Sequence, residues 1–215
     1  TDKVYANPSH DNVEESPLGG DEFYSATKSA SEHIIRAFIN SRKRSTLNIG
    51  IVRSGNVLGG GDGARDRIVT DVLNSLKNNN EIVLRKPNAV RPWQYIMDSL
   101  HGYTLTAQYC FENKSDEIFN LNSKRNNRFT VSEVTKSLVQ HWDKNYSNKI
   151  TEIPSELEET TVLTINSRKA NDLLGWSAIH DVNSITKNII NWEKARINGK
   201  NLTFKQICEH YSRIK

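Results

Sequence analysis

The chain has 215 residues, 36% hydrophobic and 25% charged, with a net charge of +4 and a mean hydropathy of −0.64. That balance fits one large or two small folded domains and excludes a disordered or fibrous chain. No apolar run approaches the ~20 residues that span a bilayer, no signal-peptide pattern opens the sequence, and two cysteines without a C-x-x-C pair exclude a disulfide framework.

Thr1–Tyr5 reads as the end of a strand and the polar stretch Ala6–Asp21 as a loop. Phe23–Arg42 lacks Pro and Gly and spaces Ala26, Ala30, Ile34, Ala37 and Phe38 near a helical repeat, which predicts a helix. Leu47–Arg53 predicts a buried strand, Gly55–Gly63 a glycine-rich loop, Asp66–Lys77 a helix and Ile82–Leu84 a short strand. Ser99–Glu112 predicts a helix and Ile118–Leu121 a strand. Thr130 and Glu133 have capping-box spacing, so Thr130–Trp142 predicts a helix. Ile150–Ile153 fits a strand, Ser167–Leu174 a helix stopped at Gly175, and Val182–Arg196 and Thr203–Ile214 two closing helices. Alternating strands and helices predict an α/β fold with a parallel sheet. The chain opens on Thr1, and its one methionine is Met97. With a first strand represented by its last residues alone, this predicts a cut rather than a natural start.

The positive charge suits nucleic acid or a phosphate-bearing small ligand. The basic runs Ser41–Arg44 and Ser123–Arg128 are short and carry no interleaved aromatics, which argues against a stacking platform for nucleic acid. The six histidines are scattered, without H-E-x-x-H or ligand spacing, so no metal site is expected. No G-x-S-x-G elbow is present. Trp176 and Trp192 read as core.

Four patterns carry chemistry. Tyr24-x-x-x-Lys28 puts a phenol and an ammonium on one helix face. An ammonium within ~4–6 Å favours a phenolate, which then exchanges a proton with a substrate hydroxyl. Tyr211-x-x-x-Lys215 has the same spacing and reads as helix surface, so the spacing needs context. Thr1-Asp2-Lys3 supplies that context: a hydroxyl, a carboxyl and an ammonium at a strand end, where open α/β sheets bind ligands; a plain polar turn is the alternative. Arg53–Asp62 runs a strand into glycines, which let backbone approach a ligand or make a flexible loop. Arg91-Pro92-Trp93-Gln94 presents a guanidinium able to grip a diphosphate, or a surface arginine beside a packed Trp.

Together TDKVY, PLGGDEFYSATKSASE, VRSGNVLGGGDGARDRIVTD, RPWQYI and TINSRKANDLLGW resemble the CDP-glucose 4,6-dehydratases of the extended short-chain dehydrogenase/reductase family. Sugar epimerases of that family share the Tyr/Lys pair, and its dTDP-sugar dehydratases carry Glu where Lys3 stands. The resemblance implies a partial Rossmann-type domain over residues 1–81 and a smaller, mixed nucleotide-sugar domain over 82–215, with the chain crossing back to the Rossmann part. It implies NAD, which takes hydride from the sugar C4. It assigns Tyr24 as the C4 hydroxyl base, Lys28 to Tyr24 and the nicotinamide ribose, Asp2 as acid for the C6 hydroxyl, Lys3 as C5 base and Thr1 near the C4 oxygen. Asn56, Arg67 and Arg91 fall on the substrate side. It also implies a homodimer through the Tyr/Lys helix and a cytoplasmic role in deoxysugar and surface-polysaccharide synthesis. Asn120-Leu121-Asn122-Ser123 replaces the family's N-F-G-P, and Glu156-Leu157-Glu158-Glu159 replaces a His-rich stretch. The G-x-x-G-x-x-G loop for the pyrophosphate does not occur in these residues, so the 215 residues alone are expected to be inactive. Another NAD-dependent nucleotide-sugar dehydratase or epimerase, or a non-catalytic nucleotide-sugar-binding fragment, remains open from sequence.

Overall fold

The computed structural model describes residues 1–7, 11–42, 47–64, 66–123, 128–143, 145, 150–153 and 165–214. The basic runs Ser41–Arg44 and Ser123–Arg128, the stretch Glu156–Glu159, and Lys215 lie wholly or largely outside them.

A short 3₁₀ turn, Asp2–Val4, opens the chain, with the Thr1 hydroxyl accepting from the Lys3 amide at 3.3 Å. Tyr5 then makes one antiparallel bridge to Leu18. Thr1–Tyr5 therefore forms a capped turn and a bridge rather than the expected strand end. Helix α1, Phe23–Ser41, is capped by Glu22, whose carboxylate accepts from the amides of Tyr24 and Ser25. Its buried residues are Ser25, Ser29 and Glu32, while Ile34 and Phe38 are exposed. The small and polar face is inward because it is tied to its neighbours by hydrogen bonds; Ser29 Oγ donates to Val4 O at 3.1 Å.

Strand β1, Gly50–Ser54, pairs in parallel with β5, Glu117–Leu121, with Arg53 opposite Asn120. Strand β2, Asn56–Leu58, pairs in parallel with β4, Val90–Tyr95, which pairs antiparallel with β6, Arg128–Thr130. Strand β3, Ile82–Leu84, pairs in parallel with β7, Ile150–Glu152. Between them run α2, Ile68–Asn78, α3, Ile96–Asn113, and α4, Val131–Trp142. The Thr130–Glu133 capping box of α4 forms as expected. Helices α5, Arg168–Leu174, α6, Val182–Ile197, and α7, Thr203–Tyr211, complete the chain. Gly175 ends α5 at φ 64°, the left-handed conformation glycine adopts without strain.

The largest core gathers Val72 and Leu76 of α2, Leu84, Trp93 and Tyr95, Leu138 of α4, and Ile185 and Ile189 of α6. A second packs Phe119 and Leu121 of β5 against Ala170 and Trp176. A third holds Val4, Tyr5 and Ile165. Trp176 is core as expected; Trp192 instead lies half-buried against Gly60 and Gly61. Among the described residues no helix is long and apolar enough to cross a membrane.

Candidate active site

The 3₁₀ turn and the first turns of α1 bring Thr1, Asp2, Lys3, Tyr24 and Lys28 together. Lys3 Nζ and Lys28 Nζ each lie 5.7 Å from the centroid of the Tyr24 ring. Tyr24 is 47% exposed, so its phenol is open to a ligand. The Thr1 hydroxyl, 3.3 Å from Asp2 Oδ1, donates to it. Asp2 is buried, and its Oδ2 has no hydrogen-bond partner. Burial lifts its carboxyl above the ordinary range, only partly countered by nearby positive charge and the Thr1 hydroxyl. A carboxyl so placed holds its proton to a higher pH than an exposed one and can donate it.

What fixes this arrangement is a buried network that no spacing in the sequence announces. Arg53, on β1, is fully buried. Its Nε and Nη2 reach the carboxylate of Glu32, one turn past Lys28 on α1, at 2.9 and 2.6 Å. Its Nη1 donates to Tyr5 Oη at 2.7 Å and to Glu14 O at 2.9 Å. Tyr5 Oη donates in turn to Asn120 Oδ1 at 2.6 Å. The Glu14 carboxylate accepts from the Asn120 amide at 2.7 Å. One side chain thus clamps the end of the Thr1–Tyr5 segment, the Tyr/Lys helix and the loop between them onto the parallel pair β1–β5.

Asn56, Arg67 and Arg91, expected on the substrate side, come from β2, the N-cap of α2 and β4. Asn56 opens β2 opposite Trp93, and Arg91 lies two residues before Trp93 on β4. Arg91 Nη1 donates to Val90 O at 3.0 Å. Arg67 is the exposed N-cap residue of α2 and makes no side-chain cap hydrogen bond. Asn56 and Arg91 therefore share one sheet, while Arg67 stands at the start of α2. Ser54 Oγ donates to Gln94 Oε1 at 2.6 Å, which links the end of β1 to β4.

The histidines, scattered in sequence, are not scattered in space: His180 and His210 meet at Asp98. Sequence spacing missed this because the three side chains come from α3, the turn before α6, and α7.

A family model described as GDP-mannose 4,6 dehydratase matches residues 1–189. The chain is 32% identical to a CDP-glucose 4,6-dehydratase of Salmonella typhimurium strain LT2 over 197 residues, which are 88% of this chain and 55% of that protein. It is 25% identical to dTDP-glucose 4,6-dehydratase 1 of Escherichia coli K12, over 89% of this chain and 56% of that one. Thus it spans about half the length of these curated relatives. Among solved structures, a UDP-glucose 4-epimerase superposes with a TM-score of 0.78 at 21% identity, covering 91% of this chain and 63% of that one. A dTDP-glucose 4,6-dehydratase of Bacillus anthracis, crystallised with NAD, superposes at 0.73 with 17% identity, covering 93% and 61%. The fold is the α/β, Rossmann-type fold of the nucleotide-sugar epimerases and dehydratases. With residues 1–189 matched by its model, the chain belongs to the GDP-mannose 4,6 dehydratase family.

Proposed function

We propose that this chain is the catalytic part of an NAD-dependent nucleotide-sugar 4,6-dehydratase that converts CDP-D-glucose to CDP-4-keto-6-deoxy-D-glucose, in the cytoplasm, for deoxysugar and surface-polysaccharide synthesis. The observation that carries the reading is an exposed phenol, Tyr24, flanked by two ammonium groups, Lys3 and Lys28, beside a buried carboxyl, Asp2. The residues present fit the nicotinamide-ribose end of NAD: Lys28 is exposed beside the Tyr24 ring and free to donate to ribose hydroxyls. When bound, NAD would supply reversible hydride transfer, accepted from C4 before water is lost and returned to C6 afterwards, with the proton held by Lys3 going back to C5.

Tyr24 takes the proton of the C4 hydroxyl, and Lys28 stabilises the phenolate that does so. The Thr1 hydroxyl orients the C4 oxygen. A ketone at C4 makes the C5 proton acidic; Lys3, acting as the neutral amine, removes it while Asp2 delivers a proton to the departing C6 hydroxyl, and water is lost. Asn56, Arg67 and Arg91 hold the nucleotide side, the arginines through diphosphate oxygens. Residues 1–81 carry the cofactor side and 82–215 mainly the substrate side. Exposed Phe23, Ile34 and Phe38 on α1 support a homodimer through that helix.

Lys3 favours CDP-glucose over the dTDP sugars, as does the higher identity to the CDP-glucose relative. The test is incubation of the full-length protein carrying this chain with CDP-, dTDP-, UDP- and GDP-hexoses, followed by detection of the 4-keto product. Product from CDP-glucose supports the reading. Product from other nucleotide sugars alone overturns the substrate, and C4 epimers without dehydration overturn the reaction.

A further inference from the structure

Three residues far apart in sequence converge in the interior. Asp98 on α3, His180 in the turn before α6 and His210 on α7 are 1%, 3% and 2% exposed. Their donor atoms all lie within 4.8 Å of one another. His180 Nδ1 is 3.2 Å from Asp98 Oδ1, and His210 Nδ1 is 3.8 Å from the same oxygen. The carboxylate is held by the amides of Ile179 and His180, at 3.2 and 3.3 Å.

Hydrogen bonding accounts for Asp98 and His180 but not for His210. Both ring nitrogens of His210 are buried, and neither has a hydrogen-bond partner among the described residues. Such an arrangement costs about 1–3 kcal/mol for each unsatisfied group, and buried polar atoms are nearly always paired. A cation bound through one of these nitrogens gives it a partner and leaves the other as an N–H donor.

The spacing selects the ligand. Zinc binds imidazole nitrogen and carboxylate oxygen at about 2.0–2.2 Å, so tetrahedral donors lie roughly 3.4 Å apart and two bound imidazole centroids roughly 5 Å apart. The two imidazole Nδ1 atoms lie 3.2 and 3.8 Å from Asp98 Oδ1, all three donors lie within 4.8 Å of one another, and the imidazole centroids are 5.2 Å apart with planes 15° from parallel.

We propose that Asp98, His180 and His210 form a buried site for one zinc-type divalent cation that staples α7 to α3 and to the turn before α6. Two neutral imidazoles and one carboxylate suit zinc, with a water molecule as fourth donor. His101, one turn on from Asp98, lies edge-on to His210 with centroids 5.9 Å apart. The purpose of a staple is visible in α7, whose buried residues are Gln206 and His210 alone among those described, with Phe204 78% exposed. Other ties of α7 are Gln206 Nε2 to Asn188 O at 2.8 Å, Tyr95 Oη to Gln206 Oε1 at 3.2 Å and Trp192 Nε1 to Thr203 Oγ1 at 2.9 Å.

The test is titration of the untagged full-length protein, stripped with chelator, with Zn²⁺ alone, read by calorimetry, metal analysis after dialysis and thermal unfolding. One zinc per chain, bound with sub-micromolar affinity and raising Tm, supports the site, as does tetrahedral ligand-field absorption on substitution with Co²⁺. His210→Phe fills the same space without a lone pair and should weaken binding at least about tenfold. Cys208→Ser, at an exposed thiol, should leave it unchanged. If His210→Phe does not fold, His180→Gln gives the same readout, since its amide still donates to Asp98. No stoichiometric zinc in the wild type, or equal affinity in the folded variant, overturns the proposal.

Discussion

Arg53 and Glu32 form a buried ion pair with Nε–Oε1 at 2.9 Å and Nη2–Oε2 at 2.6 Å, joining β1 to the helix that carries Tyr24 and Lys28. Because Arg53 also holds Tyr5, the pair sets the distance between the Thr1–Lys3 turn and the phenol.

Arg53→Met leaves Glu32 buried without its partner. Breaking a buried pair by removing one member costs about 3–5 kcal/mol, which urea unfolding should show. In the proposed reaction the fraction that stays folded should lose kcat more than it gains in KM, because Arg53 positions the reacting groups rather than binding substrate. Glu32→Gln should produce the same kcat-weighted loss with a smaller stability cost.

Gly60 lies under the indole of Trp192; a Cβ there would meet the ring at 2.6 Å. The rigid indole cannot yield without shifting α6, so Gly60→Ala should cost about 1–3 kcal/mol. Circular dichroism melts check this. Gly63→Ala, where an added Cβ meets nothing within 4 Å, is the control and should unfold like the wild type.

Glu193 on α6 accepts from Arg196 at 2.7 Å and pairs with Lys77 of α2 at 3.2 Å. The hydrogen bond from Arg196 comes first in holding its carboxyl below the ordinary range, with Lys77 adding to it against the opposing effect of burial. A depressed carboxyl stabilises the fold above its unfolded pKa of about 4.3, and that stability is lost as pH falls through the folded value. Glu193→Gln should therefore cost about 1–3 kcal/mol at pH 7, with the gap to wild type closing in melts carried out below the ordinary carboxylate range.

Asp2 works in the opposite sense. Burial raises its carboxyl, so the folded state binds its proton more tightly, and stability falls as pH rises from the unfolded value of about 3.9 through the folded one. Asp2→Asn should raise Tm at pH 7 and leave it unchanged well below pH 3.9. In turnover it should lose the alkaline limb that Asp2 contributes and about 10²–10⁴ in kcat, the usual share of a general acid. Paired melts and pH–rate profiles of the two proteins separate these effects.

The sequence was most informative where local chemistry decides structure. The Thr130–Glu133 box, the Gly175 stop and the helix through Tyr24 and Lys28 are all formed by neighbours in the chain. The spacing of Ile34 and Phe38 predicts the α1 helix but not its buried face, because long-range bonds from Ser29 and to Glu32 turn the other face inward. Strands β2, β4 and β6 carry no alternation long enough to read; β4 even contains Pro92, accommodated beside its antiparallel partner β6. The joining of Tyr5, Glu14, Glu32, Arg53 and Asn120, and of Asp98, His180 and His210, depends on residues up to more than a hundred positions apart, which spacing in one sequence does not encode.

The most direct measurement is turnover of CDP-glucose by full-length Tyr24→Phe beside the wild type, with folding and zinc content matched. Loss of the phenol oxygen should lower kcat by about 10²–10⁴ while Tm stays within about 1 °C, because the ring is half in solvent and its hydroxyl supports no packing. A variant that dehydrates CDP-glucose at the wild-type rate would contradict the assignment of proton transfer to Tyr24.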